Sequence, residues 1–244
     1  METKVFLQPA YVLHTRPFLN TSLLVDFFCL DYGRIRAVAK GARREKSKYR
    51  SFLQLFHPLL VSLSGRGEVK TVTGIESGLS AIQLQGDRLF SGLYLNELLS
   101  RLLLNHVEHT ALYKAYQESL VALQGSSNIE LVLRRFELNL LAELGYGINL
   151  ESDCRSNRPI AEADYYHYTP DIGFEIVNGV TEPAADGIAQ RVNPKLFAGS
   201  HLIALKNFQL ENREVAQAAK RLLRITLNAH LGEKPLQSRS LFQS

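Results

Sequence analysis

The sequence is poor in the residues and patterns that mark several classes of protein. Two cysteines in 244 residues, Cys29 and Cys154, are too few for a disulfide framework or a four-cysteine zinc site. The N-terminal residues METKVFLQPA lack the apolar core of a secretory signal. The most apolar run, Leu93 to Leu104, is interrupted by polar and charged residues well short of the about 20 that span a membrane. A reduced, cytoplasmic setting without membrane contact is therefore expected.

The sequence also lacks the motifs of common catalytic and cofactor sites. It has no Gly-x-Ser-x-Gly elbow, and the Gly65–Gly67 and Gly145–Gly147 pairs lack the lysine and hydroxyl residue of a phosphate loop. His106 and His109 are three residues apart, but no third ligand is placed with them. These absences predict a binding protein with no catalytic residue, no metal and no cofactor.

One strongly basic stretch, residues 34–50 (RIRAVAKGARREKSKYR), stands out against this background. It holds eight cations and a single acid, Glu45, and its formal charge of +7 exceeds the +4 of the whole chain. Charge of this density favours a polyanionic partner, most commonly nucleic acid, although a solvated loop kept for solubility is the alternative. The candidate DNA-binding residues are Arg34, Arg36, Lys40, Arg43, Arg44, Lys46, Lys48 and Arg50.

Short strands broken by turn residues are predicted from Ala10 to about Glu76. One of these strands carries basic residues on its solvent face: Arg34, Arg36 and Lys40. These residues point away from both Ile35 and Val38 only if the register of the strand shifts near Ala37. The residues Ser64 to Gly67 predict a hairpin turn, and its Arg66 joins the candidate DNA-binding set.

Five short strands around a long basic loop predict an OB-fold, a small barrel that binds single strands with a basic groove and stacking aromatic side chains. The aromatic candidates are Phe18, Tyr32, Tyr49 and Phe52, although packing in the core is the commoner role for such residues.

The hydrophobic period becomes helical after Asp87, the predicted N-cap of a helix to about Leu104. A second helix is predicted from Thr110 to Leu123. A third begins at the capping-box pattern of residues 127–130 and ends after Leu144.

The third helix carries a short apolar strip opposite its main apolar face, flanked by two arginines. The strip would suit a peptide with a hydrophobic anchor and acidic groups, whereas a helix packed on both faces is an equally good interpretation. The residues of this candidate peptide site are Leu131, Arg134, Arg135 and Leu138.

The last third of the chain is predicted to contain an acidic, loop-rich insert at about 151–190 with a small hairpin, then a basic helix over 211–231. The basic face of that helix is a candidate second contact surface or an ordinary solvated face. Its residues are Arg213, Lys220, Arg221 and Arg224.

The predicted fold class is α+β, with an N-terminal OB-fold barrel followed by an all-helical C-terminal domain that carries the small hairpin insert. We divide the chain into a nucleic-acid-binding domain at 1–80 and a helical domain at 81–244.

Several stretches together resemble the bacterial recombination mediator and DNA repair family RecO. The blocks YVLHTRPFLNTSLLVDFF, GRIRAVAKGARREKS, LYLNELLSRLL, LRRFELNLLAELGYGINL and KRLLRITLNAHLGEKPLQSRSLF occur in that order over almost the whole chain. The resemblance implies binding of single- and double-stranded DNA, annealing of complementary strands, and help in loading RecA onto DNA coated with single-stranded DNA-binding protein. It also implies RecR as a partner and recognition of the acidic, phenylalanine-ending tail of the coating protein.

The resemblance assigns the DNA-facing surface to residues 34–50 and makes Arg134 and Arg135 the leading contacts for the acidic tail. Many members of the family carry four cysteines after the LGYG block as a zinc module, whereas this chain keeps only Cys154 there. We therefore expect no zinc. Two other hypotheses remain open, an adaptor that binds only proteins through its helical domain and an RNA-binding OB protein.

Overall fold

Five strands close into a barrel at the N-terminal end of the chain. The structure, a computed structural model, describes residues 3–178 and 193–243. The strands are β1 (Thr3–Phe18), β2 (Ser22–Cys29), β3 (Gly33–Ala39), β4 (Leu59–Gly65) and β5 (Val69–Ser77). Their order is β1-β2-β3-β5-β4, with β4 returning to β1; β3 and β5 run parallel and the other pairs antiparallel. This closed five-stranded arrangement confirms the OB-like barrel.

Strand β3 alternates without interruption. Ile35, Ala37 and Ala39 are buried in the barrel, whereas Arg34, Arg36 and Val38 lie on the outer face, and the pairing with β2 shows no register shift. The strand therefore places Arg34 and Arg36 outward without the register shift that would put Val38 on the face of Ile35, because the small side chain of Ala37 fills an inward position. Val38 consequently shares the outer face with the arginines.

The outer face of β1 and β2 packs against two helices, α1 (Asp87–Leu102) and α2 (Thr110–Gln124). The ring of Tyr11 lies 5.2 Å from that of Tyr116, edge to face, and Phe28 lies 5.4 Å from Tyr113. The side-chain amide of Asn96 on α1 donates to the carbonyl of Leu13 at 3.1 Å and accepts from the Tyr116 hydroxyl at 2.6 Å. Desolvation by burial raises the pKa of Tyr11 to about 12.

The helix starts differ from the sequence predictions in detail. Gly86 is the N-cap of α1, and Asp87 is its first residue. The third helix, α3 (Ile129–Glu143), is capped by Asn128 and not by Ser127, since the Asn128 Oδ1 accepts from the backbone N–H of Glu130 at 2.9 Å.

A three-stranded sheet and two helices follow α3. The predicted hairpin is present as β6 (Tyr165–Thr169) and β7 (Gly173–Ile176), and a third strand, β8 (Leu196–Ala198), pairs with β6. Two helices, α4 (Gly199–Lys206) and α5 (Arg213–Leu231), come next, and a 3-10 helix spans Gln237–Gln243. Sequence analysis missed β8 and α4, and the end of the predicted acidic insert (179–190) lies outside the described residues.

The chain divides by its contacts into two compact units, residues 1–133 with 234–244, and residues 134–233. The first unit contains the barrel, α1, α2 and the 3-10 helix; the second contains the sheet, α4 and α5. The division of the sequence at residue 80 stays a prediction. Across the described ranges, none of the helices has the length and apolar character needed to cross a membrane.

Gly33 is required where the turn after β2 meets the connection between α1 and α2. Its φ is +59°, and a Cβ there would lie 1.7 Å from the carbonyl oxygen of Val107. We predict that Gly33→Ala lowers the free energy of unfolding by about 3 kcal/mol, through left-handed strain and overpacking. The midpoint of chemical denaturation measures this loss. Gly67→Ala is the control, because a Cβ at Gly67 meets nothing within 4 Å; equal midpoints for the two variants would contradict the prediction.

Candidate nucleic-acid interface

The basic stretch occupies β3 from its second residue onward and the first part of the long connection from β3 to β4. Backbone hydrogen bonds fold this connection into successive turns, with Arg44 N donating to Gly41 O at 3.1 Å and Ser47 N to Arg44 O at 3.0 Å. Ala42 and Leu53 are buried in the barrel core. The loop is therefore held at both ends by apolar packing and along its length by local hydrogen bonds.

The cations of this loop point outward. Six cations of the stretch follow β3, and all six are exposed. Among residues 3–178 and 193–243, no carboxylate lies within 4 Å of any of these six. The Lys48 ammonium lies 5.3 Å from the centre of the Tyr49 ring. We call the exposed cations the loop cations: Lys40, Arg43, Arg44, Lys46, Lys48 and Arg50.

Arg34 and Arg36, on the outer face of β3, are engaged with a carboxylate. The Arg36 guanidinium binds Asp26 with two hydrogen bonds, Nε to Oδ1 at 2.6 Å and Nη2 to Oδ2 at 3.0 Å. Arg34 lies 3.5 Å from the same carboxylate and donates to the carbonyl of Leu103 at 3.1 Å. The structure thus separates the eight cations of the stretch into two that share Asp26 and six that are exposed.

Asp26 keeps its negative charge in spite of its burial. Desolvation alone would raise the pKa of Asp26, but the hydrogen bond from Arg36 and the charges of Arg34 and Arg36 outweigh it and hold that pKa below its ordinary value. Sequence analysis missed Asp26. A single acid in the apolar run SLLVDFFCL, one strand away from two alternating arginines, is the signal that would have found it.

Arg66 lies in the turn between β4 and β5 and is exposed. Three aromatic candidates, Tyr32, Tyr49 and Phe52, are partly buried and pack against the barrel core. Phe18 is 37% exposed at the end of β1. The Arg43 Nη1 donates to the carbonyl of Leu19, 3.4 Å away in the β1–β2 turn, so Phe18 precedes a residue that contacts a loop cation, and it is the most exposed of the aromatic candidates.

The candidate second basic surface lies on α5. Arg213, Lys220 and Arg224 are exposed. The Arg221 side chain is held within its own unit: its Nη2 donates to the Leu196 carbonyl at 2.8 Å, its guanidinium lies 4.5 Å from the Phe197 ring, and burial lowers its pKa. Three of the four residues are therefore presented to solvent.

The two arginines of α3 have different surroundings. Arg134 is buried, and its Nη2 binds Glu137 Oε1 at 2.9 Å. Arg135 is exposed, with its guanidinium 4.4 Å from the centre of the Phe208 ring. Leu131 and Leu138 are half-buried. The geometry favours Arg135 over Arg134 as a contact for an acidic peptide.

The segment around Cys154 is organised by an aspartate. Asp153 accepts hydrogen bonds from the backbone N–H of Ser156 at 2.6 Å, of Ile176 at 2.6 Å and of Arg155 at 2.9 Å. These bonds, led by that from Ser156, lower the pKa of Asp153 to about 2. The described part of the chain holds no cluster of three or more His, Cys, Asp or Glu side chains suited to a metal. Cys154 is exposed in this segment, and its thiol is free.

Comparisons with known proteins agree over nearly the whole chain. The family models described as Recombination protein O N terminal and Recombination protein O C terminal match residues 1–78 and 83–240. The DNA repair protein RecO of Yersinia pestis (strain Pestoides F) is 43% identical over 237 residues, which cover 97% of this chain and 93% of that protein. The DNA repair protein RecO of Cellvibrio japonicus (strain Ueda107) is 41% identical over 239 residues, which cover 98% of this chain and 97% of that protein.

We predict that Asp26→Asn lowers the free energy of unfolding by about 2 kcal/mol at neutral pH, because two partly buried guanidinium groups lose their counter-charge. The folded-state pKa of Asp26 is depressed, so its contribution is present above the unfolded value of about 4 and is lost as pH falls through the folded value. Denaturation midpoints at several pH values measure this. We expect the difference in midpoint between wild type and Asp26→Asn to close in acid. Glu45→Gln, the control at the exposed acid of the loop, should leave the midpoint unchanged. A difference in midpoint that widens in acid would contradict the assignment.

Proposed function

This chain belongs to the RecO family of recombination and DNA repair proteins, and from that premise we propose that it is a DNA-binding recombination mediator. In this proposal it binds single- and double-stranded DNA and anneals complementary strands. It also helps load RecA onto DNA coated with single-stranded DNA-binding protein, acting in the cytoplasm at the nucleoid. It works by binding and release, without catalytic turnover.

The observation that carries the proposal is the set of six exposed loop cations on the barrel. Each is able to replace a condensed counterion at a phosphate, and release of those ions drives association with DNA. The turns that fold the loop reduce the conformational entropy lost when a strand binds. Arg66 and the exposed cations of α5 are secondary candidates for the same role.

Annealing follows from the kind of contact that the loop makes. Arginine and lysine side chains on phosphates fix a strand without reading its bases. A strand held by its backbone keeps its base edges available for a complementary strand, and any sequence is accepted. Neutralised phosphates also repel the incoming strand less than bare ones do.

The protein partners are assigned to the helical part of the chain. Arg135, exposed on α3 beside Phe208, is our leading contact for the acidic tail of the single-stranded DNA-binding protein, with Leu138 as an apolar neighbour on the helix. Leu131 and Arg134 remain predicted residues of the same peptide site. RecR is proposed as a partner on the family premise alone, and RecA as an indirect one.

Two other functions are separated from this proposal by experiment. An adaptor that binds only proteins would have no salt-dependent affinity for DNA. An RNA-binding protein would prefer RNA of the same sequence through its 2′-hydroxyls, which a phosphate-binding loop does not sense.

We predict that replacing Arg43, Arg44, Lys46 and Lys48 by alanine removes most of the salt dependence of single-stranded DNA binding. Six phosphate contacts give a slope of about −4 in log affinity against log salt, or a loss of roughly 300-fold between 50 and 200 mM; two contacts give about sevenfold. Fluorescence anisotropy measures both slopes.

The control for this variant removes four exposed cations elsewhere, Lys114, Arg155, Arg158 and Lys195. It changes the net charge equally and should leave the slope near that of the wild type. A shallow slope for the wild type, or a slope unaltered in the loop variant, would reject the DNA-binding proposal in favour of the adaptor.

We predict that Arg135→Gln weakens binding of an acidic peptide ending in phenylalanine by about tenfold, since one charge-assisted hydrogen bond is lost. Calorimetric titration of the peptide measures this, with Arg155→Gln as the control at another exposed arginine. Unchanged affinity for Arg135→Gln would place the peptide elsewhere.

A further inference from the structure

A groove in the first unit is lined by residues other than the loop cations. Its walls are the outer face of β1 to β3, helix α1, and the segment 234–241 at the C-terminal end of the chain. Its volume is about 1370 Å³, above the about 300–1,000 Å³ of most small-molecule sites. The groove is partly open to solvent, so a polymer can enter it without being enclosed.

The C-terminal wall of the groove is fixed in place by α1. The Glu97 carboxylate accepts from the backbone N–H groups of Gln237 at 2.9 Å and Ser238 at 2.8 Å, and from the Ser238 hydroxyl at 2.6 Å. Arg101 Nη1 donates to the carbonyl of Pro235 at 3.1 Å. The wall is therefore a built part of the unit, and Glu97 is engaged in holding it.

The groove is positively charged, with cations contributed by four separate elements. Arg34 and Arg36 come from β3, Arg16 from β1, Arg101 from α1 and Lys234 from the C-terminal wall, against the carboxylates of Asp26 and Glu97. Arg16 and Lys234 are exposed, and within the described ranges no carboxylate lies within 4 Å of either. Two uncompensated cations from different segments of the chain thus line one groove.

Part of the groove lining is apolar. Leu55, Leu93 and Leu236 form this part, which we call the leucine floor, each from a different segment of the chain. An apolar surface bordered by cations matches a single nucleic-acid strand, whose bases are largely apolar on their faces and whose phosphates are anionic.

The groove is continuous with the candidate DNA interface. Arg36 and Lys40 occupy the same outer face along β3 and the residue after it, and four residues of strand span about 13 Å. Leu55 belongs to the same β3–β4 connection as the loop cations. The groove and the candidate DNA interface therefore share β3 and the connection that follows it.

We propose that this groove is a second segment of the nucleic-acid path: a single strand held at the loop cations continues along β3 into the groove, with phosphates at Arg16 and Lys234 and bases against the leucine floor. The inference rests on the proposed DNA-binding function and extends it to residues outside the basic stretch. Arg16 and Lys234 are binding residues in this account, and Glu97 positions the wall that carries Lys234.

Lysine footprinting of the full wild-type chain tests the path directly. Acylation of Lys234 and Lys114 is followed by mass spectrometry in the presence of oligothymidylates of about 8 or about 25 nucleotides. An OB-fold covers about 4–16 nucleotides, so the first length lies within that range and the second exceeds it. The longer strand protects Lys234 and leaves Lys114, exposed on α2, reactive. A Lys234 that stays reactive under saturating long strand would overturn the proposal, as would protection by an acidic peptide ending in phenylalanine but not by DNA.

A paired variant gives an independent measurement. Arg16→Ala with Lys234→Ala removes two phosphate contacts, so the salt slope for the longer strand falls by about 1.4 and the affinity loss between 50 and 200 mM becomes about sevenfold smaller. Lys114→Ala with Lys195→Ala removes the same charge elsewhere and keeps the wild-type slope. Equal slopes in the two double variants would reject the groove.

The loop variant distinguishes failure of the groove from failure of the proposed function. If the loop variant loses salt dependence while the groove variant behaves as its control, DNA binding stands and the groove does not carry it. If neither variant differs from its control, DNA binding through this side of the barrel fails altogether.

Discussion

The alternation of strand β3 is the constraint on which the candidate DNA interface depends. The barrel closes only if every second residue of the strand is small or apolar, and Ile35, Ala37 and Ala39 satisfy this without a register shift. The residues between them must then face outward, so Arg34 and Arg36 are brought side by side on one face. Asp26, on the neighbouring strand, compensates that charge with hydrogen bonds as short as 2.6 Å, and the like-charged face becomes compatible with a stable barrel.

This compensation shifts the proposed DNA contacts from the strand to the loop and the groove. Arg34 and Arg36 share a carboxylate, whereas the loop cations and Arg16 have none within 4 Å in the described part of the chain. A phosphate that approaches Arg36 must compete with Asp26, but one that approaches Lys46 displaces only water and salt ions. Total charge in a stretch therefore overstates the number of cations that are available to a ligand.

The sequence predicted the elements whose signal is local. The alternating strands, the turn at Ser64 to Gly67 and the hairpin formed by β6 and β7 rest on neighbouring residues, and the OB-like barrel followed from their number and order. Family resemblance placed the chain correctly. What the sequence could not supply depends on residues that meet only after folding: the Asn96 amide that joins a helix to the barrel, and the return of the segment 234–241 to the first unit. Arg134 and Arg135 are adjacent in sequence and look equivalent, yet only the folded helix shows which one is buried with Glu137.

We propose that the chain pairs DNA strands that are already coated by single-stranded DNA-binding protein. The most direct measurement is the rate of annealing of complementary strands precoated with that protein, with its acidic tail present or removed. The account predicts that the chain accelerates annealing of the coated strands and that removal of the tail abolishes most of the acceleration, while naked strands anneal equally well in both cases. An annealing rate of coated strands that the chain does not change would contradict it.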